Sequence, residues 1–174
     1  SDLAAPAIDK AGVTNAASNI APGLPNYGIA RGSLFMVKGT GFGSGATIAV
    51  KAGEQSVDAP VVAATETQVV ATLPATATVG DAKVTVTYNG ETSGEETIKI
   101  VDRAFGIFSA GGMAVTLPAV TAAQAAQAGQ ALSLYGTGLG EGDVEVWVGG
   151  KAATVNGKGP STGAGLDAIS FTYA

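Results

Sequence analysis

The sequence contains neither cysteine nor histidine. Without cysteine there is no disulfide framework and no thiolate nucleophile, and without histidine the commonest general base and metal ligand is also missing. Charged residues make up only 13% of the chain, about half of their usual share. A net charge of −5 argues against nucleic acid as a partner. We therefore expect a protein that is not an enzyme and that holds no cofactor and no metal.

Long apolar runs are absent as well. The uncharged segment 104–140 is interrupted by Pro118, by the pair Gly111-Gly112 and by three glutamines, whereas a membrane-spanning helix needs about 20 apolar residues. We therefore expect no membrane span. The first residues lack the basic and apolar regions of a signal peptide, so we expect any such segment to be absent from this chain. The hydrophobic fraction of 46% is sufficient for a folded core.

What the chain has in quantity is glycine, and it recurs in an internal repeat. Residues 32–43 and 129–140 are identical at five of twelve positions, and each segment alternates like a strand before ending in Gly-Thr-Gly-(Phe/Leu)-Gly. The offset between the two copies is 97 residues. Such self-similarity indicates two copies of one structural unit.

The residues that follow each copy also alternate between apolar and polar with the period of a strand. Asn89-Gly90 and Gly149-Gly150 are typical hairpin turns, because they accept positive φ angles. Residues 121–128 are expected to form at most a short helical connector or a loop. The predicted strands are Thr47–Lys51, Thr67–Pro74, Lys83–Tyr88, Glu96–Val101, Val144–Val148 and Asp167–Ala174.

Short strands separated by frequent turn signals predict an all-β fold of two tandem immunoglobulin-like β-sandwich domains. We expect an N-terminal lead segment at 1–20, a first domain at 21–101 and a second, incomplete domain at 102–174. The second copy ends where the first continues into its last hairpin. It is therefore expected to lack two strands, leaving an edge that is exposed or covered by another chain.

The chain resembles the C-terminal tandem module of secreted acidobacterial proteins of unknown function, whose halves are immunoglobulin-like domains of the TIG/IPT type. Ala11-Gly-Val-Thr-Asn-Ala-Ala-Ser18 is similar to the family's Gly-Gly-Val-Val-Asn-Ala-Ala-Ser, and Leu134-Tyr-Gly-Thr-Gly-Leu-Gly140 matches its most specific string. Arg31 and Phe105 stand where the family has proline. The resemblance implies secretion and a β-sandwich, and it assigns no catalytic residues.

Two features have a chemical alternative beside the structural interpretation. Gly39–Gly45 could be a phosphate loop, but its spacing is not that of a dinucleotide fingerprint and more strand follows it, so we interpret it as a glycine-rich bend with Phe42 and Leu139 tucked under the sandwich.

Glu91, Glu95 and Glu96 flank a hairpin and are expected to be solvated. The candidate ligands of a weak calcium site are Glu141, Asp143 and Asp167, although this loop offers few oxygens.

Trp147 is the aromatic residue with the clearest functional interpretation. Val144, Val146 and Val148 claim the core face of their strand, so Trp147 is expected to point outward and could contact a ligand or a partner, as could Tyr135. Packing against a loop or the other domain is the alternative for both.

These observations predict a non-catalytic extracellular module with a structural or interaction role, in adhesion or scaffolding. We expect it to be an accessory C-terminal region of a larger secreted or cell-surface protein. Its expected partner is a protein or glycan at the cell surface, with edge-strand association through the second domain. The alternative is a carbohydrate-binding module that uses the outward aromatic residues.

Overall fold

The computed structural model describes residues 4–110, 113–121 and 123–173. Within these ranges the chain forms strands and loops and no helix, which confirms the prediction of an all-β fold. The described part of segment 121–128 is therefore loop and turn. A helix long and apolar enough to cross a membrane does not occur in the described residues.

The first half of the chain, residues 4–101, contains ten strands. Four of the six predicted strands lie here, and all four have counterparts within a few residues of the expected bounds, with Glu96–Val101 reproduced to the residue. The strands are β1 (Ala7–Asn15), β2 (Ile29–Ala30), β3 (Leu34–Thr40), β4 (Thr47–Ala52), β5 (Gln55–Ala59), β6 (Val61–Ala64), β7 (Gln68–Thr72), β8 (Gly80–Tyr88), β9 (Glu91–Thr92) and β10 (Glu96–Val101).

These ten strands form two sheets that pack face to face. One sheet has the order β1-β3-β7-β6, and the other has the order β2-β10-β8-β4-β5, with β9 paired to β8. All pairings are antiparallel except that of β2 with β10. The chain passes from β5 to β6, and so from one sheet to the other, at Pro60, which cannot donate a ladder hydrogen bond.

The core of the first half follows directly from the period of two in its strands. Val69, Ala71 and Leu73 are fully buried, as are Ile98 and Ile100, while the residues between them face outward. Each buried aliphatic side chain contributes about 1.5–3 kcal/mol through removal of its surface from water. Phe42 is also buried beneath the sandwich, as expected from its place in the glycine-rich bend.

The second half, residues 102–173, has one main sheet and a small hairpin. The main sheet has the order β11-β15-β18-β17-β16, with β14 paired to β15, and the hairpin pairs β12 with β13. The strands are β11 (Gly106–Ile107), β12 (Ser109–Ala110), β13 (Met113–Ala114), β14 (Thr116–Leu117), β15 (Ala131–Thr137), β16 (Val146–Val148), β17 (Lys151–Pro160) and β18 (Asp167–Thr172).

The second half repeats the first as far as β18, and no strand of residues 102–173 corresponds to β8 or β10. In the first half β4 is covered on one side by β8 and on the other by β5. Among the described residues its counterpart β16 pairs with β17 only, through the hairpin turn at Gly149 and Gly150, both of which have positive φ. Val146 and Val148 are consequently half-buried, whereas Ile48 and Val50 are fully buried.

Strand β1 lies in the segment that the sequence predicted as a lead, and it pairs with β3 along most of its length. The pairing is interrupted between Ile8 and Val13 by a bulge. At this bulge Ala11 adopts a φ of 59°, a left-handed conformation that is costly for any residue with a Cβ atom. Its N–H donates a hydrogen bond to the Glu96 carboxylate at 3.0 Å, which holds the bulge in place.

We predict that Ala11→Gly stabilises the protein by about 1 kcal/mol, because glycine adopts the left-handed conformation without a steric penalty. The free energy of unfolding from urea titration measures this gain. Ala49→Gly in β4 is the control, since Ala49 has an ordinary strand conformation and should lose about 0.5–1 kcal/mol. An equal loss in both variants contradicts the prediction.

Candidate functional site

The two aromatic residues singled out in the sequence lie on the main sheet of the second half but far apart. Across the sheet, Trp147 pairs with Ala152 of β17. Tyr135 pairs with Ala168 of β18, which in turn pairs with Gly159 of β17, so these three residues form a second cross-strand row. Seven residues of β17 separate these two rows, about 23 Å at the rise of a strand. The structure therefore does not bring Trp147 and Tyr135 into one surface.

Trp147 itself is 62% exposed. Its indole Nε1 donates a hydrogen bond to the Glu145 carboxylate at 3.1 Å, so the ring is oriented along the outer face of β16. The adjacent Val146 and Val148 turn inward toward the core of the second half. Tyr135 is half-buried beside β14 and contributes much less free ring surface.

The glycine-rich bends serve close backbone packing. A Cβ at Gly39 would overlap the carbonyl oxygen of Ala7, and a Cβ at Gly136 would overlap that of Gly106. Strand β1 crosses directly over the bend of the first half, and β11 crosses over that of the second half. Both bends therefore make the same kind of backbone contact. Leu139 is buried as expected. The bends leave no phosphate-sized cradle.

Three of the acidic residues considered in the sequence contact separate groups, and Glu96, which was expected to be solvated, is half-buried. The carboxylate of Asp167 accepts a hydrogen bond from the backbone N–H of Leu139 at 2.9 Å, and that of Glu96 holds Ala11. Asp143 contributes its backbone carbonyl to the Arg103 guanidinium. Over the described ranges, no three acidic side chains gather as the ligands of a metal ion would.

A cleft of about 450 Å³ lies where the two halves meet. The sequence did not predict it, because its walls come from three distant segments, near 15–28, 101–105 and 139–144. Its lining includes the aromatic residues Tyr27 and Phe105 and the charged residues Arg103 and Asp143.

Tyr27 is fixed at the side of this cleft that belongs to the first half. Its hydroxyl donates a hydrogen bond to the carbonyl of Val13 at 3.0 Å. Burial, and secondarily the negative charge of Glu96, raises the pKa of Tyr27 to about 12. The neutral phenol is therefore the form that the folded protein favours.

We predict that the protein loses stability between about pH 10 and about pH 12, because the unfolded chain releases the Tyr27 proton near pH 10 while the folded protein retains it until about pH 12. Tyr27→Phe should remove this part of the loss, while costing about 0.5–1.5 kcal/mol at neutral pH for the missing hydrogen bond. Urea unfolding at a series of pH values gives both numbers. Parallel alkaline decline in the two proteins contradicts the assignment.

Next to the cleft, two buried polar side chains join the halves. The Thr137 hydroxyl accepts a hydrogen bond from the backbone N–H of Leu34 at 2.8 Å and donates one to the carbonyl of Gly165. The Asn15 amide donates to the carbonyl of Ala104 at 3.0 Å and to that of Thr137 at 3.4 Å. Thr137 is entirely buried and Asn15 nearly so. Three of these contacts cross between the halves, and the bond of Thr137 to Gly165 holds the hydroxyl from within the second half. We call the four together the interdomain lock.

The side-chain oxygen of Asn15 is bonded to backbone groups of its own half. It accepts hydrogen bonds from the backbone N–H groups of Ala17 at 2.8 Å and Ser18 at 3.1 Å. The whole amide is thereby satisfied, which a buried polar group requires. Close packing accompanies the hydrogen bonds, since a Cβ at Gly106 would overlap this oxygen. The exposed ion pair of Arg31 with Asp102 lies beside the lock and adds little to it.

Comparison with known proteins places one part of the chain in a family. Residues 20–100 match the IPT/TIG domain, which is an immunoglobulin-like domain. No curated protein sequence matches the chain.

Two solved structures are among those that match the chain at low identity. One is SGBP-B of the Bacteroides ovatus mixed-linkage glucan utilization locus in complex with a mixed-linkage heptasaccharide, at 16% identity and a TM-score of 0.41, covering 88% of this chain and 35% of that one. The other is the titin Ig tandem domains, at 10% identity and a TM-score of 0.27, covering 83% of this chain and 75% of that one. The chain thus spans about a third of the first of these proteins.

Proposed function

Because residues 20–100 form an IPT/TIG domain, we propose that the chain is a non-catalytic interaction module of two immunoglobulin-like units, the second starting at residue 102. It acts as a fixed spacer within a larger secreted or cell-surface protein, of the kind that its sequence resembles. Its partners are proteins or glycans at the cell surface. The observation that carries the proposal is the interdomain lock.

The lock favours a spacer because it removes the freedom that tandem domains ordinarily have. Domains joined by a small polar interface move relative to one another. Here a rotation of the halves would separate the Leu34 N–H from the Thr137 hydroxyl and leave that N–H unpaired, while the hydroxyl keeps its bond to Gly165 within the second half. Leaving a buried polar group without a partner costs about 1–3 kcal/mol. A fixed angle between the units suits a protein that presents another domain at a set distance.

Measuring the distance between two spin labels, one in each half, tests this proposal. The chain has no cysteine, so Glu54→Cys in the first half and Lys151→Cys in the second provide two exposed labelling sites with no background. We expect a narrow distance distribution that broadens in Asn15→Ala. Glu54 paired with Thr92→Cys, within the first half, is the control that should stay narrow in both backgrounds. A broad distribution in the unaltered lock rules out the fixed spacer.

The exposure of Trp147 favours a second candidate, a carbohydrate-binding module. An exposed ring whose indole N–H is bonded to Glu145 can stack on the apolar face of a sugar. A glycan array probed with the whole chain tests this, with Trp147→Ala as the variant and Tyr135→Ala as the comparison. Loss of a hit in Trp147→Ala alone supports the candidate. An array without hits, or hits that survive Trp147→Ala, eliminates it.

The edge of β16 offers a third type of contact that fits the same role. Within the described residues β16 pairs with β17 only, so its other edge presents free backbone groups beside half-buried Val146 and Val148. Free edges pair readily with strands of other chains. Edge-strand association through the second unit therefore belongs to the proposed function.

A further inference from the structure

The interdomain lock is built from two pieces of the repeat, and each piece occurs a second time in the chain. One piece is the bend Gly136-Thr137-Gly138, whose counterpart in the first half is Gly39-Thr40-Gly41. The other piece is the turn Gly32-Ser33-Leu34, whose counterpart in the second half is Gly129-Gln130-Ala131. The lock uses the bend of the second half and the turn of the first.

The two turns have the same backbone structure. Gly32 has a φ of 76° and Gly129 one of 80°. The N–H of Gly32 donates to the carbonyl of Leu73 at 2.7 Å, and the N–H of Gly129 donates to that of Tyr173 at 2.8 Å. Each following strand continues into an equivalent pairing, Leu34 with Thr72 and Ala131 with Thr172. The N–H that follows the turn is thus presented in the same way.

A strand crosses over the first glycine of both bends, β1 in the first half and β11 in the second. The N–H after the second glycine is bonded differently, that of Phe42 to the Glu66 carbonyl and that of Leu139 to the Asp167 carboxylate. The two threonines differ in what covers them. Thr137 is completely buried against the first half, while Thr40 is exposed. Likewise Leu34 is buried in the lock, while Ala131 is exposed. The described residues therefore contain one complete lock and, at the two opposite ends, one further copy of each piece whose Thr40 or Ala131 is exposed.

We propose that the Thr40 bend is a docking surface for a second copy of this unit, which engages it through a turn of the Gly129–Ala131 type. The chemistry is that of the existing lock: the threonine hydroxyl accepts the N–H of the residue that follows the turn. Because the two free pieces are different and lie at opposite ends, the association is head to tail and does not close on itself. This inference rests on the proposed spacer role and extends it to a linear array.

The contact between copies lacks the Asn15 part of the lock, because the only asparagine of residues 102–173 is Asn156, which donates to the Thr172 hydroxyl. We therefore expect the contact to need a covalent tether. The geometry allows one, since Tyr173 is hydrogen-bonded to the turn at one end and the carbonyls of Ala4 and Ala5 lie beside Gly41 at the other. A short Gly/Ser linker between two copies gives a high effective concentration.

The experiment uses a tandem protein of two full chains joined by such a linker. Spin labels replace Lys151 of the first copy and Glu54 of the second, so that the distance crosses the new contact. We expect a narrow distribution, whose width roughly doubles when the second copy carries Thr40→Arg. The same substitution in the first copy is the matched control, because nothing docks there, and it should change nothing. Thermal unfolding of single-chain Thr40→Arg verifies that the exposed substitution leaves the fold intact.

The outcomes separate this inference from the proposed function. A broad distribution across the new contact, with narrow distances inside each copy, overturns the array and leaves the spacer standing. Broad distances inside each copy overturn both. A narrow distribution that survives Thr40→Arg in the second copy overturns the assignment of the docking surface to the Thr40 bend. Equal broadening of the distance distribution by Thr40→Arg in the first and in the second copy also overturns this assignment. Thr40→Val, which removes only the hydroxyl, then has the same effect on the distribution in either copy.

Discussion

Replacing Thr137 by valine should lower the free energy of unfolding by about 3 kcal/mol. Valine keeps the shape of the side chain and removes its hydroxyl, which takes this partner from the buried N–H of Leu34 and from the part-buried carbonyl of Gly165. Each unpaired group costs about 1–3 kcal/mol. Urea unfolding followed by tryptophan fluorescence measures the loss, since the single tryptophan lies in the second half.

The repeat supplies the matched control for this prediction. Thr40→Val is the same chemical change at the equivalent position of the first half, and Thr40 is exposed. Surface substitutions of this kind usually change stability by less than about 0.5 kcal/mol. If the two variants were equally stable, the Thr137 hydroxyl would have no part in joining the halves, and the lock would reduce to packing alone.

The second large effect is expected from Gly39→Ala, which should destabilise the protein by about 3 kcal/mol or more. Gly39 does not need a left-handed conformation, so backbone strain plays no part. The added methyl would instead overlap the carbonyl oxygen of Ala7 and come within 2.6 Å of the Phe42 ring. Backbone on one side and a buried ring on the other cannot yield easily, and overpacking of this kind costs about 1–3 kcal/mol or more.

Gly94→Ala is the control for Gly39→Ala. A Cβ at Gly94 meets nothing within 4 Å, and its backbone is also outside the left-handed region. We expect Gly94→Ala to be neutral or slightly stabilising, because alanine restricts the unfolded chain more than glycine does. Thermal unfolding of the two variants gives the comparison. A Gly39→Ala protein as stable as the wild type would show that β1 does not cross the bend as closely as described.

The strands were predictable because burial imposes a period of two on them. Lys83–Tyr88 and Glu96–Val101 alternate without interruption, and the structure buries the predicted face in both. In the second half the same pattern predicted the inward direction of Val146, but its incomplete burial depends on a neighbouring strand that the pattern alone does not supply. Alternation determines the face of a residue and leaves the extent of its burial to the rest of the sheet.

The junction could not be predicted from local patterns. Asn15 lies in a segment that resembles a known family opening, yet nothing near it in sequence reveals that its amide reaches Ala104 and Thr137. Thr40 and Thr137 are the same residue in the same string, and their opposite exposure arises only from what packs on each copy. Once coordinates are known, the junction is located by comparing the exposure of equivalent residues in the two copies.

The parallel pairing of β2 with β10 has a consequence for how the chain folds during synthesis. Ile29 pairs with Ile100, so the sheet that contains β10 cannot be completed until about 70 further residues have left the ribosome. Ile29, which is fully buried in the folded protein, cannot pair with Ile100 before then. Contacts between residues so far apart in sequence slow folding. The first half therefore passes through a stage in which this sheet is open beside β2.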